Sequence, residues 1–346
     1  MGFAAYADVI LAQLAGARRD PVALATWLAE CGAITPEQGS VTQAAIQGAG
    51  KADIVVVLRD PTSDELMARG VLLVFHDQEG GYRLARKVEG VGTLALLKVD
   101  DINKDGKVDI AWSDTTCGAH TCFSTLYVES WDGKAYRDWI EGEPTMAYPE
   151  YRFEDSESAG NGEEILVHGG IIRSAGAGPQ RAWTETYISP KGKPYQLFNQ
   201  VYDASDCFYH HLLDANRIFN EWASAGFGPA VTAYQALIGD TSLRACGTIA
   251  NELETLRDFA RFRLIVSLVS NGQANQASSV LGQIGNQALR GAAQAFLEAY
   301  KKSGSIVQAC RNTTAYALTN PGSWEFLADW GYANPSFSPE ELCPLG

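Results

Sequence analysis

The sequence contains no run of about 18 consecutive apolar residues, the length that a membrane-spanning helix requires. It is also poor in basic residues, with 27 Lys and Arg against 41 Asp and Glu and a formal net charge of −14. Nucleic acids and anionic membrane surfaces are bound by basic patches, and no such patch is visible. The composition argues against a membrane span and against nucleic acid as a partner. Divalent cations or basic partners suit the chain better.

The N-terminus lacks the basic segment of a secretory signal, and Tyr6 occupies the place of the Ser or Thr of a myristoylation motif. Seven cysteines are nevertheless more than a typical cytosolic scaffold uses, and an odd number leaves at least one thiol free or paired between chains. We therefore expect an exported protein, extracellular or at the cell surface, whose leader is absent from this sequence.

Oxygen-bearing side chains recur at every second residue around a glycine in residues 101–109. Gly106 permits the sharp turn that brings such side chains onto one hard cation. An EF-hand would require a bidentate Glu at the twelfth position, but Trp112 stands there, in a β-branched and aromatic stretch that predicts a strand. The pattern predicts a Ca²⁺ site between two strands. Its predicted ligands are the side chains of Asp101, Asn103, Asp105 and Asp109 and the backbone carbonyl of Lys107.

This pattern occurs three times at intervals of about 55 residues, each time followed by a predicted hairpin with a Gly turn and an aromatic residue. In the first copy Ala45, Gln47 and Ala49 stand at ligand positions, and only Asp53 remains of the predicted ligands. We expect this first loop to bind no metal.

The order of strand, Asp-x-Asn-x-Asp-Gly-x-x-Asp loop, strand and hairpin resembles the FG-GAP or VCBS repeats of integrin-like β-propellers. The resemblance covers residues 40–202 and implies that the loop between the first two strands of a blade holds calcium. The third copy keeps Asp155 and Glu157 but has Ala159 and one inserted residue, which leaves its binding open. Three blades are fewer than a closed propeller needs. We expect a fourth blade, hidden in the chain or supplied by another chain, or else an open stack of sheets.

Helical spacing of apolar residues predicts an N-terminal hairpin within residues 1–35 and a helical domain over residues 204–331. In that domain, Thr255 and Asp258 are placed as a capping box before one helix, and two helix–turn–helix units resemble tetratricopeptide-type repeats. The tail over residues 332–346 follows. The predicted fold class is α+β multidomain, with β-propeller-like antiparallel repeats followed by an α-helical array.

Two cysteines five residues apart, Cys117 and Cys122, favour a disulfide across a tight loop between two strands. Two reduced core thiols are one alternative. A metal site of Cys117, His120 and Cys122 is another, although the sequence offers no fourth ligand. A Cys–His nucleophile would also be conceivable, but no acyl-transfer signature surrounds the pair.

Together these features predict a calcium-stabilised, non-enzymatic protein that mediates protein–protein interaction or self-assembly outside the cell. The alternative is a secreted hydrolase or a carbohydrate-binding protein that acts on an extracellular polymer. A hydrolase would need a carboxylate pair, for which Glu141 and Glu143 with Asp155 are candidates. Carbohydrate binding would need tryptophans exposed in a row, whereas we expect those of the repeats to pack between blades. These are Trp112, Trp131, Trp139 and Trp183.

Overall fold

The computed structural model describes residues 5–16, 20–63, 69–155, 162–222 and 226–345. The chain divides into a β unit, formed by Met1–Arg173 and Ala182–Asp203, and a helical unit, formed by Ser174–Arg181 and Ala204–Gly346. Three antiparallel sheets followed by a helical region define an α+β architecture. The N-terminal helices belong to the β unit. The short segment Ser174–Arg181 belongs to the helical unit, although strands precede and follow it in sequence.

The β unit begins with two short helices, α1 (Tyr6–Ala15) and α2 (Pro21–Glu30). The Asp20 carboxylate caps α2 by accepting a hydrogen bond from the N–H of Ala23 at 3.2 Å. Pro21 occupies the first turn, where a backbone N–H would have no partner within the helix. The start of α2 thus follows directly from the sequence.

In the described part of the β unit, thirteen strands form three meandering antiparallel sheets. The first sheet contains β1 (Ser40–Ala44), β2 (Asp53–Arg59), β3 (Gly70–Gln78) and β4 (Gly81–Glu89). The second contains β5 (Thr93–Asp100), β6 (Asp109–Cys117), β7 (Cys122–Trp131), β8 (Tyr136–Asp138) and β9 (Thr145–Ala147), which pairs with β7. The third contains β10 (Glu150–Glu154), β11 (Glu164–Gly169), β12 (Trp183–Ile188) and β13 (Gln196–Tyr202).

The sheets pack face to face in sequence order, which explains why residues 53–58 of β2 are buried without alternation. One face of the first sheet packs against α1 and α2 around Ile54, Val56 and Phe75. The opposite face packs against the second sheet through Val55 and Val57. A third apolar cluster joins the other face of the second sheet to the third sheet. It contains Ala111, Leu126, Val128, Ile165, Val167 and Tyr187.

Within the described ranges the β unit has these three sheets and no fourth that would close a propeller. The four repeat tryptophans pack at the contacts between sheets. Trp112 is 3% exposed and stacks on Tyr127 with ring centroids 4.1 Å apart, and the other three are half-buried. No exposed row of these side chains is formed.

The described residues of the helical unit form six helices, and consecutive helices pack against each other. They are α3 (Phe208–Trp222), α4 (Gly228–Gly239), α5 (Glu252–Ser270), α6 (Ala274–Leu281), α7 (Gln287–Ser303) and α8 (Ile306–Thr319). Short 3₁₀ turns follow at Pro321–Ser323, Glu325–Leu327 and Pro339–Leu342. Paired helices are present, but this packing does not by itself identify tetratricopeptide repeats. In the described part of the chain, no helix is both long enough and apolar enough to cross a membrane.

The predicted capping box of Thr255 and Asp258 was wrong, because α5 begins at Glu252 and Thr255 already lies inside the helix. Asp258 is buried and serves another helix instead. Its Oδ2 accepts hydrogen bonds from the N–H groups of Gly285 (2.9 Å) and Asn286 (2.7 Å), just before α7. This contact joins residues far apart in sequence, so the local spacing could not reveal it.

Candidate metal centre

The predicted calcium loop, residues 101–108, connects β5 to β6 at a corner where Asp100 pairs with Asp109. Two of its residues have left-handed backbone conformations, Lys104 with φ 56° and Gly106 with φ 90°. Glycine adopts this conformation without steric cost, and Lys104 is held there by the surrounding turn. The loop therefore folds back on itself within a few residues, as the sequence predicted.

Side-chain oxygens in this loop bind the loop's own backbone. Asp101 accepts hydrogen bonds from the N–H groups of Asp105 (Oδ1, 3.0 Å) and Gly106 (Oδ2, 3.0 Å). The Oδ1 of Asn103 accepts from the N–H of Asp105 at 2.9 Å, and the Oδ1 of Asp105 accepts from the N–H of Lys107 at 2.9 Å. Each oxygen retains a further lone pair after one such bond. The three side chains are thus turned towards the loop and still have acceptor sites for a cation.

Asp109 is the buried end of this donor set. Its side chain is 0% exposed, and neither carboxylate oxygen has a hydrogen-bond partner of good geometry among the described residues. Burial is the main cause that raises the pKa of Asp109 to about 7. The carboxylates of Asp105 and Asp101 act in the same direction, and the nearby Ser130 hydroxyl and Asn103 backbone oppose them. A buried carboxylate without partners is costly. A cation would supply the interactions that the protein does not.

In the described residues, no group of three or more His, Cys, Asp and Glu side chains is gathered closely enough to hold a metal ion. Mutual repulsion of the three loop carboxylates opposes such a gathering. Asp105 is exposed and Asp101 is half-buried, so both side chains can change rotamer at the surface. The predicted donor set also includes the amide of Asn103 and the carbonyl of Lys107. These residues fit a hard cation by chemical type.

The third sheet supports this loop from one side. The N–H of Glu163 donates to the carbonyl of the buried Ile102 at 2.8 Å, and the hydroxyl of Tyr195 donates to the carbonyl of Glu163 at 3.0 Å. Gly162 has φ 116°, and a Cβ there would lie 2.7 Å from the backbone of Asn103. The loop is therefore held where two sheets meet, so fixing it would also fix the contact between those sheets.

The first copy of the loop has the same turn but different chemistry. Gly48 (φ 110°) and Gly50 (φ 84°) have left-handed backbones at the positions of Lys104 and Gly106. Asp53 is 0% exposed, like Asp109, but its Oδ2 accepts from the N–H of Gln47 at 2.8 Å. Its Oδ1 accepts from the Gln47 side-chain amide at 2.7 Å and from the N–H of Asp77 at 2.8 Å. The protein itself provides the partners of this carboxylate.

The substitute role of Gln47 was not predicted. The sequence showed only that a glutamine stands at the third loop position, where the second copy has Asn103. One additional methylene group lets the Gln47 amide donate to the carboxylate that closes the loop. For the third copy, Asp155 lies exposed at the end of β10, and Glu157 and Ala159 fall outside the described residues.

A disulfide joins Cys117 to Cys122 across the β6–β7 hairpin, where the two residues pair in register. The bond confirms the first interpretation of this segment, a disulfide across a tight loop between two strands. The metal site of Cys117, His120 and Cys122 is therefore wrong, because both sulfurs are consumed in the bond, and a reduced pair or a Cys–His nucleophile is likewise ruled out.

Two further disulfides lie in the helical unit, Cys207–Cys246 and Cys310–Cys343, and Cys31 is an exposed thiol. The second of these bonds attaches the C-terminal tail to α8, as expected for a bridged Cys343. Three disulfides are typical of a protein of an oxidising compartment.

The adjacent histidines at the start of α3 have structural contacts. The Nδ1 of His210 is 2.8 Å from the hydroxyl of Ser205, and that hydroxyl accepts from the N–H of Cys207 at 3.1 Å. The Nε2 of His211 lies 2.7 Å from the carbonyl of Ser205. A serine and a histidine in contact are also found in nucleophilic catalysis. Here both side chains organise the turn that precedes the helix.

A groove of about 820 Å³ lies in the helical unit beside the start of α5. Two buried carboxylates line it. Glu252 accepts from the N–H groups of Cys246 (2.7 Å) and Gly247 (2.8 Å), and Asp258 accepts from the residues before α7. Both are engaged in holding backbone segments. The carboxylates named as glycosidase candidates, Glu141, Glu143 and Asp155, are all exposed side chains.

No protein-family model matches this chain, and neither a curated protein nor a solved structure is significantly similar to it. The resemblance to FG-GAP or VCBS repeats therefore stays a prediction from the residues of the loops.

Proposed function

We propose that this chain is a calcium-stabilised, non-enzymatic binding or structural module that acts outside the cell or at the cell surface, through contacts with protein partners or with itself. The observation that carries the proposal is Asp109, whose two carboxylate oxygens are buried without partners of good geometry at the end of the Asp-x-Asn-x-Asp-Gly loop. Asp53, at the equivalent place in the first sheet, has three protein donors instead. We therefore place the proposed cation at the second loop and not at the first.

Calcium would act here as a structural ion. It would neutralise the crowded carboxylates and hold the β5–β6 corner against Glu163 and Tyr195 of the third sheet. At ten times its dissociation constant, an ion that binds only the folded state contributes about 1.4 kcal/mol. Extracellular modules often bind calcium with dissociation constants of about 0.1 to 1 mM. The three disulfides support the same compartment.

Thermal unfolding in calcium-free buffer and in millimolar calcium tests the proposal. We expect calcium to raise the melting temperature of the wild type by about 3 °C, following the 1.4 kcal/mol above. Asp105→Ala removes one ligand and should abolish most of this shift. An absent shift in the wild type, or an equal shift in the variant, would sink the proposal.

Asp132→Ala provides the matched control. Asp132 is another loop carboxylate, and its Oδ1 accepts hydrogen bonds from the N–H groups of Lys134 and Ala135, both at 2.8 Å. It lies in the β7–β8 hairpin and is not one of the predicted ligands. Its removal should lower the melting temperature slightly with and without calcium, and the calcium-induced shift should keep its wild-type size.

A further inference from the structure

The Cys117–Cys122 disulfide encloses far less of the chain than the other two disulfides do. Its cysteines are 5 residues apart in sequence, whereas those of Cys207–Cys246 and Cys310–Cys343 are 39 and 33 residues apart. A disulfide stabilises a fold mainly by restricting the unfolded chain, and the restriction grows with the number of residues in the closed loop. We therefore expect the hairpin disulfide to contribute the least of the three to stability.

The tip of the β6–β7 hairpin is also held by contacts that do not involve sulfur. Nine residue pairs join the two strands, and the cysteine pair is the last of them. Beyond it, the N–H of Gly118 donates to the carbonyl of Thr121 at 2.8 Å. The N–H of Tyr148 donates to the carbonyl of Cys122 at 3.1 Å, and its hydroxyl donates to the carbonyl of His120 at 3.2 Å. Opening of the S–S bond would leave these hydrogen bonds in place and the two cysteines opposite each other.

Access to sulfur separates the hairpin disulfide from the one that attaches the C-terminal tail. Exchange begins when a thiolate attacks a disulfide sulfur, so its rate depends on access to that sulfur. Cys117 and Cys122 are both half-buried at the end of the hairpin. Cys310 and Cys343 are 0% and 2% exposed, so their bond is shielded from attack.

The Cys207–Cys246 disulfide is shielded on one side only. Cys246 is exposed, but Cys207 is 4% exposed and belongs to the apolar core of the helical unit. Attack on the sulfur of Cys246 would have to release Cys207 as a thiolate in apolar surroundings, which disfavour a charged group. The hairpin disulfide imposes no such burial on either of its sulfurs.

The loop between the hairpin cysteines carries no carboxylate. Residues 118–121 are Gly-Ala-His-Thr, and His120 is exposed. Arg173 stacks beside this end of the hairpin, with its guanidinium 4.4 Å from the centre of the Tyr148 ring. The formal net charge of the chain is −14, so a stretch without acidic side chains is where an anionic thiolate can approach with least repulsion.

We propose that Cys117–Cys122 is a redox-active disulfide that exchanges with an accessible pair of thiols on a partner molecule. A thiolate of the partner attacks one hairpin sulfur and forms a mixed disulfide with it, while the S–S bond breaks and the other cysteine leaves as a thiolate that takes up a proton. The second thiol of the partner then attacks the mixed disulfide. Both hairpin cysteines end as thiols, the partner ends as a disulfide, and two electrons have passed from the partner to this protein.

Thiol trapping in the folded full chain tests the proposal. The protein is incubated without denaturant in dithiothreitol, which serves as the dithiol probe, and samples are alkylated with N-ethylmaleimide and mapped by mass spectrometry. We expect Cys117 and Cys122 to be alkylated at least about tenfold faster than the cysteines of the other two disulfides. The circular dichroism spectrum should stay unchanged while they react, and oxidised glutathione should restore the bond once the dithiothreitol is removed.

Cys31 is the internal reference, because its exposed thiol should be alkylated before any reductant is added. Opening of all three disulfides at one rate, or of either disulfide of the helical unit first, overturns the proposal. A circular dichroism spectrum that is lost as the hairpin bond opens overturns it as well, since the bond would then be needed for the fold.

Single variants test the mixed disulfide itself. Cys117→Ser and Cys122→Ser, each combined with Cys31→Ser, leave one hairpin thiol and no other free cysteine. Oxidised glutathione should add its mass to at least one of these variants while the protein stays folded. If neither variant forms the adduct, a partner cannot reach either sulfur and the proposal is wrong.

This inference goes beyond the proposed calcium-stabilised module and does not depend on it. Trapping with calcium and with a chelator separates the two. Selective opening of the hairpin disulfide in both buffers supports the exchange even if calcium fails to raise the melting temperature, and a calcium-induced shift in a protein whose disulfides open together supports only the metal site.

Discussion

The first and second loops of the β unit each bury an aspartate, but they surround it with different side chains. Each has two left-handed residues in its turn, and each ends in an aspartate with 0% exposure, Asp53 in one and Asp109 in the other. Gln47 and the backbone of Asp77 satisfy the carboxylate of Asp53. At Asp109 no donor of good geometry is present among the described residues, and three oxygen-bearing side chains precede it in the loop. The side chains around the closing aspartate, and not the glycine turn, thus distinguish the two loops.

The largest effect on stability is expected from a substitution of Asp53. Asp53→Asn should lower the free energy of unfolding by about 3 kcal/mol, because the new amide group would face donors that require an acceptor. The loss should be the same with and without calcium. Urea denaturation followed by circular dichroism would measure it.

Asp109→Asn is the same change at the matched position, and it should behave differently. Without calcium it removes a buried charge that has no partner of good geometry, so stability should stay constant or rise. With calcium, the variant should fail to gain the stabilisation that the wild type shows. Equal losses for both variants in calcium-free buffer would show that the loops are equivalent and would contradict the comparison.

Most elements of the β unit could be predicted from the sequence because their signals are local. Short apolar runs separated by Gly and Asp indicated the strands and hairpins. The equivalence of three repeats stays a prediction. The face-to-face packing that buries both sides of β2 could not be read from these runs. The grouping of Ser174–Arg181 with the helical unit was equally hidden, since contacts far apart in sequence decide it.

The candidate site shows the same limit. The ligand positions follow from spacing along one loop, and the structure places Asp109 at its buried end. The contribution of Gln47 depends on a carboxylate six residues later, and the third donor to Asp53 comes from Asp77, which is 24 residues further on. Support by Gly162 and Glu163 likewise comes from another sheet. Such partners are set by the packing of sheets, which the sequence pattern does not encode locally.

An effect of intermediate size is expected when the second loop is given the glutamine that the first loop has. Asn103→Gln introduces at this position the side chain that Gln47 provides in the first loop. Its amide should reach Asp109, as the Gln47 amide reaches Asp53 at 2.7 Å. We expect about 1 kcal/mol of added stability without calcium and a smaller calcium-induced shift in melting temperature. Asn103→Ala controls for simple loss of the ligand, and it should reduce the shift without the added stability. If Asn103→Gln and Asn103→Ala were equally stable without calcium, the glutamine amide would not bind Asp109 and the prediction would be wrong.

The smallest expected effect is on the pH dependence of stability, and it concerns His76 in the first sheet. His76, on β3, is fully buried, and its Nε2 lies 2.8 Å from the hydroxyl of Tyr136. Burial lowers the pKa of His76, Arg83 lowers it further, and Asp53 opposes both. The unfolded state therefore binds the proton more readily, with a pKa near 6.5.

The contribution of His76 to stability is consequently complete above about pH 6.5 and decreases as the pH falls through that value towards the lower pKa of the folded state. In the second sheet the residue that pairs with the closing aspartate, Asp109, is Ser130, and a serine hydroxyl does not titrate in this range. His76→Phe should make the urea midpoint fall less steeply between about pH 7 and pH 5 than in the wild type, because the unfolded state loses its protonation advantage. His120→Phe, at an exposed position of the β6–β7 turn, should retain the wild-type slope. A slope that His76→Phe leaves unchanged would mean that carboxylates alone set the acid sensitivity of the β unit.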